Sequence, residues 1–119
     1  MATYTRRLWL ASGGETLLSA RLVAQAAFTL DASNYWTVTV YHRRAATGAF
    51  AALANGETVG TYSLATRSLV ADTPVTIYES EQGLALGDGD SLVAVVTSTG
   101  SPAQLDNPVI SLDIQRNTR

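Results

Sequence analysis

Apolar and polar residues alternate with a period of two along much of this chain, the period of an extended strand with one face on a core. The longest case places Leu18, Ala20, Leu22, Ala24, Ala26, Phe28 and Leu30 on one parity, against Ser19, Arg21, Val23, Gln25, Ala27 and Thr29 on the other. Trp36, Val38 and Val40 alternate with Thr37, Thr39 and Tyr41, and Ile110, Leu112 and Ile114 alternate with Ser111, Asp113 and Gln115. Residues 4–11, 75–80 and 91–98 have the same short, β-rich character. Helix is the alternative for residues 15–30, where Leu, Ala, Arg and Gln are good helix formers and Ser12-Gly13-Gly14-Glu15 has capping-box spacing. Two glycines in the first turn oppose it.

Turn chemistry separates these runs at Ser12-Gly13-Gly14, at residues 31–34, at Asn55-Gly56, at Asp72-Thr73-Pro74, at Gly87-Asp88-Gly89-Asp90 and at Gly100-Ser101-Pro102. Asn55-Gly56 suits a type I′ hairpin joining residues 49–54 to residues 57–63, although the alanine-rich run is also compatible with a short helical turn. Seven or eight short strands divided this way predict an all-β fold, an antiparallel β-sandwich of jelly-roll-like kind, with a small barrel as the alternative. The 119 residues suit one domain, and residues 1–12 read as an N-terminal arm or an edge strand.

Charge narrows the function classes. The chain has no lysine; all eight basic residues are arginine, and the net charge is -2. A nucleic-acid binder needs a clustered basic face, so no nucleic-acid partner is expected. Cysteine is absent, which removes disulfides, thiolate metal sites and cysteine nucleophiles. No run approaches the roughly 20 apolar residues of a membrane helix, so no membrane partner is expected. Arg6-Arg7-Leu8-Trp9-Leu10 resembles a twin-arginine export motif, but Glu15 and Arg21 interrupt the apolar stretch that should follow, so the segment is expected to belong to the domain.

Candidates for chemistry are few. His42 is the only histidine and continues the Trp36, Val38, Val40 parity, which suits a packing role at a strand end. Asp88 and Asp90 would give calcium two carboxylates, but the rest of a calcium loop is missing and Asp and Gly are ordinary turn formers. Glu79, Glu81, Asp88 and Asp90 invite a glycosidase reading whose carboxyl separation spacing alone does not set. The Gly-x-Ser-x-Gly nucleophile turn is absent. No enzyme activity, cofactor or metal is therefore expected.

Tyr4, Arg6, Arg7 and Trp9 are instead residue types concentrated at protein interfaces, and they sit beside Gly13-Gly14. These four are the candidate partner contacts. As an ordinary strand the segment would turn Leu8 and Leu10 inward and Arg7 and Trp9 outward. An alanine-rich core is thin, which favours a homo-oligomer whose contact would bury Val23, Ala27 and Val93.

Asn34-Tyr35-Trp36-Thr37-Val38-Thr39-Val40-Tyr41 followed by Arg43-Arg44-Ala45-Ala46-Thr47-Gly48 resembles small β-sandwich virion proteins of tailed bacteriophages. Ser68-Leu69-Val70-Ala71-Asp72-Thr73-Pro74, Leu86-Gly87-Asp88-Gly89-Asp90 and Leu105-Asp106-Asn107-Pro108 extend the resemblance over residues 20–115. The resemblance implies a capsid decoration or cement protein, often trimeric, bound to the major capsid protein or another virion protein on the capsid surface. A tail-fibre or receptor- and carbohydrate-binding β-sandwich is the alternative.

Overall fold

The computed structural model describes residues 3–43, 57–105 and 107–116. Five strands, β1 (Thr3–Val23), β2 (Tyr35–Arg43), β3 (Glu57–Ser63), β4 (Val75–Thr99) and β5 (Val109–Arg116), form one antiparallel sheet in the order β3-β2-β4-β1-β5. No helix occurs among the described residues, so the helical alternative for residues 15–30 falls away. β1 ends at Val23, short of Leu30, and Phe28 then makes a single bridge with Leu69.

Seven or eight strands were expected and five are present among the described residues, because two pairs of expected strands are continuous. Residues 4–11 and 18–23 are both β1, and residues 75–80 and 91–98 are both β4. Glycines expected to end strands form bulges within them instead. Gly13 (φ 94°) and Gly14 (φ 68°) lie between the Ser12–Asp88 and Glu15–Leu86 pairs, two β1 residues against the single Gly87 of β4. An extra residue on one strand bends and twists the ladder without ending it. The bend must be large: 21 residues of straight strand would span roughly 70 Å, whereas the molecule is 46 Å in its longest dimension. The hairpin expected across Asn55-Gly56 lies outside the described residues.

Bending lets one sheet enclose its own core. Ala20 and Leu22 from the second half of β1 join Val38 and Val40 of β2, Tyr62 of β3 and Ile77 of β4 in one buried cluster. Ala11, Leu17, Leu86 and Leu92 form a second. One side of the curl closes where β3 meets the first half of β4: a Cβ on Gly60 would stand 2.2 Å from the Ile77 carbonyl oxygen, so only glycine permits this approach. The other side differs. β5 pairs with residues 15–23 of β1 alone, leaving residues 3–10 as the outermost strand there among the described residues.

Alternation holds where strands are regular. Trp36, Val38, Val40 and His42 are buried, and Ile110, Leu112 and Ile114 are more buried than Ser111, Asp113 and Gln115. It fails at bulges. Pairing with β4 slips between Arg7 and Trp9, so Leu8 packs on the core as expected, whereas Trp9 turns inward and Leu10 is 61% exposed. A one-residue slip exchanges the two faces of a strand. Leu92, Val93 and Ala94 are buried in succession, so Val93 is not available for the subunit contact expected of it.

Candidate functional site

A cleft of about 770 Å³ opens beside the outer half of β1. Tyr4, Arg6 and Arg7 line it from β1, and Leu22, Val38 and Val96 supply apolar surface. Pro102, Gln104 and Leu105 cross its end, and Val109 and Ile110 of β5 complete the wall. The bend in β1 is what brings Tyr4 and Leu22 to one cavity, since the two lie on opposite sides of Gly13-Gly14. Trp36 ties the end wall down by donating its indole N–H to the Ala103 carbonyl at 2.8 Å, and its ring lies 6.2 Å from that of Tyr4.

Three of the four residues singled out from sequence therefore meet in one place: Tyr4, Arg6 and Arg7, all exposed. They belong to a strand paired with residues 93–96 of β4. Trp9 does not join them. It is half-buried against the second cluster and donates its indole N–H to Glu15 Oε1 at 3.3 Å. Nothing in the sequence marks Gln104, Val109 and Ile110 as cleft residues, since only the bend and the approach of residues 102–105 bring these segments to the cleft.

Glu15 holds the bend together. Although 2% exposed, its carboxylate accepts the Ser12 backbone N–H at 3.0 Å, the Trp9 indole N–H, and the Arg116 guanidinium of β5 at 3.2 Å. The Ser12 N–H above all, helped by Trp9 and Arg116, holds this carboxyl below its ordinary value near 4.5. A depressed pKa means that the charged form stabilises the fold at pH above the unfolded value, a contribution lost as pH falls through the folded value. Glu15→Gln is expected to melt at lower temperature than the unchanged protein near neutral pH. The gap should narrow as the pH of the melts falls below about 4.5 and close once it has passed the lowered folded value, where both proteins carry an uncharged group.

His42 is 2% exposed, with Nε2 2.8 Å from Asp90 Oδ2. Among the described residues its Nδ1 has no hydrogen-bond partner, and it lies 3.8 Å from Glu57 Oε1. Asp90 also accepts the Gly87 N–H at 2.9 Å, so its carboxylate stitches the β4 bulge to β2. Asp88 is exposed, and no group of three or more His, Asp and Glu residues able to hold a metal ion is found among the described residues. Glu79 faces Arg21 at 3.8 Å, and none of Glu79, Glu81, Asp88 or Asp90 lines the cleft. His42→Ala removes one hydrogen bond from the buried Asp90 carboxylate, and denaturant unfolding should register a loss of roughly 2 kcal/mol. The cleft, at the Trp36 end of β2, is expected to survive that change.

Asp31 accepts the Ser33 and Asn34 N–H groups, the turn expected before β2, and these bonds hold its carboxyl below the usual range. Asn34 in turn accepts the Ser101 N–H, bringing the loop before β2 to the segment that crosses the cleft. No protein-family model, curated protein or solved structure matches the chain.

Proposed function

We propose that the protein is a structural binding module without catalytic activity, acting as a capsid decoration or cement protein on the surface of a bacteriophage head. Its partner on this reading is the major capsid protein or another virion protein, and its fold is a β-sandwich of jelly-roll-like kind assembled as a homotrimer. The observation that carries the reading is the cleft, where Tyr4, Arg6 and Arg7 surround an apolar floor on the outer strand of the sheet. Tyr and Arg are enriched at protein interfaces, and an apolar centre with a charged rim is the usual anatomy of such a contact. The resemblance of residues 20–115 to small virion proteins supplies the setting.

Co-sedimentation with undecorated phage heads tests this reading. Wild-type protein should bind, and Arg6→Ala with Arg7→Ala should weaken binding about tenfold or more, the equivalent of 1.4 kcal/mol. Raising the salt from about 0.1 M to about 1 M shortens the screening length from about 10 Å to about 3 Å and should weaken wild-type binding as well. Failure of the wild-type protein to bind heads overturns the reading.

A receptor- or carbohydrate-binding tail domain is the second reading, favoured by Tyr4, which is 58% exposed at the cleft. Sugars stack on such rings. Binding to a glycan array that disappears with Tyr4→Ala would put this reading first.

A further inference from the structure

We propose that His42 is a proton-operated latch joining β2, β3 and β4, which grips the Glu57 end of β3 when its imidazole carries a second N–H. The inference is independent of the binding-module reading, because the latch lies at the opposite end of β2 from the Trp36 and Val38 that line the cleft. The buried ring stands between two carboxylates from different strands. Nε2 lies 2.8 Å from Asp90 Oδ2 of β4, and Nδ1 lies 3.8 Å from Glu57 Oε1 of β3. Asp90 is buried and also accepts the Gly87 N–H, whereas the Glu57 side chain is 61% exposed and has room to move.

A neutral imidazole has a single N–H. Donated to Asp90, it leaves the Nδ1 lone pair facing the Glu57 carboxylate, so two acceptors meet. Protonation puts a donor on each nitrogen, and the same ring then bonds Asp90 and draws Glu57 in from 3.8 Å. Histidine ordinarily changes charge between about pH 5 and pH 8, above the range in which carboxylates titrate. Burial opposes a charged ring, and two adjacent carboxylates favour it. The other charges on the strands packed here are Arg43, next to His42 on β2, and Glu15 on β1, which binds the indole of Trp9 in register across Leu92 and is paired with Arg116 of β5. Position gives the latch its effect. Among the described residues β3 is hydrogen-bonded to β2 alone, and His42–Glu57 is the end pair of that ladder, where the strand is otherwise held least. The grip on β3 is present in mildly acid solution and is lost as pH rises through the histidine range.

The test is nuclear magnetic resonance of the full chain at about pH 8 and about pH 5.5, on either side of the ordinary histidine range. His42 is the only histidine, so its ring nitrogens are recognised without assignment. The ring should carry one proton, on Nε2, at the higher pH and two at the lower. Amide protection factors, which remove the direct effect of pH on exchange, should rise about threefold at residues 57–60 on going to the lower pH, the scale of an exposed ion pair. In Glu57→Ala the ring should still gain its second proton while the rise in protection disappears, and circular dichroism matching wild type at the higher pH shows that this variant is folded. A wild-type ring that keeps a single proton at the lower pH, protection at residues 57–60 that does not rise, or an equal rise in Glu57→Ala overturns the inference. The first two readouts use the unchanged protein, so they decide the matter even where the variant fails to fold.

Discussion

Gly60→Ala is expected to destabilise the protein by on the order of 3 kcal/mol, a large part of the 5–15 kcal/mol that holds a typical domain folded. The added methyl would stand 2.2 Å from the Ile77 carbonyl oxygen and 3.2 Å from the Ile77 Cγ2. The first neighbour is backbone in β4 and has no rotamer into which to retreat. Relief requires β3 to move off β4, which opens the closed side of the curl and exposes Tyr62 and Ile77, both in the main core. Thr61→Ala is the control, since Thr61 is exposed and makes only a 3.3 Å hydroxyl contact with Thr39. Urea unfolding of both variants checks the expectation. A Gly60→Ala midpoint equal to that of wild type would mean that the two strands are not held this closely in solution.

Trp36→Ala is expected to cost about 3–5 kcal/mol, the usual loss on truncating a buried aromatic. Trp36 packs in the main core beside Tyr35 and also holds the end wall of the cleft through Ala103. Trp36→Phe separates the two roles. It keeps most of the ring volume and loses the N–H, leaving the Ala103 carbonyl without its indole donor at a cost of about 1 kcal/mol. The phenylalanine variant should therefore remain folded but show faster amide exchange in residues 102–105 and weaker binding at the cleft. Calorimetry and hydrogen exchange read the two effects independently, and unchanged exchange in residues 102–105 would contradict the anchoring role of Trp36.

These two sites differ in how far sequence reveals them. The burial of Trp36 follows from its parity with Val38 and Val40, because β2 is regular and pairing cannot change which face is apolar. The importance of Gly60 is invisible, since its neighbour is 17 residues away in a strand that meets β3 only after the sheet curls. Glu15 lies between these cases. Its three-residue spacing from Ser12 suggested a helix cap, and the structure uses the same carboxylate and the same Ser12 N–H to hold a strand bend. The burial of His42 follows from its parity with Trp36, Val38 and Val40, whereas Asp90 as its partner depends on the pairing of β2 with β4.

The sequence by itself determined that the fold is all-β, which residues of β2 and β5 face the core, and that Tyr4, Arg6 and Arg7 sit close together along one segment. Each follows from side-chain chemistry and a period of two, which are local properties. Only the tertiary structure decided that Gly13-Gly14 bends β1 without ending it, that Trp9 turns inward to Glu15, and that Tyr4 and Leu22 share a cleft. Glycine permits both a turn and a bulge, and the choice is made by whether the strand beyond it finds the same partner again. β1 does: residues on both sides of Gly13-Gly14 pair with β4, and the bend that keeps both pairings also creates the cleft.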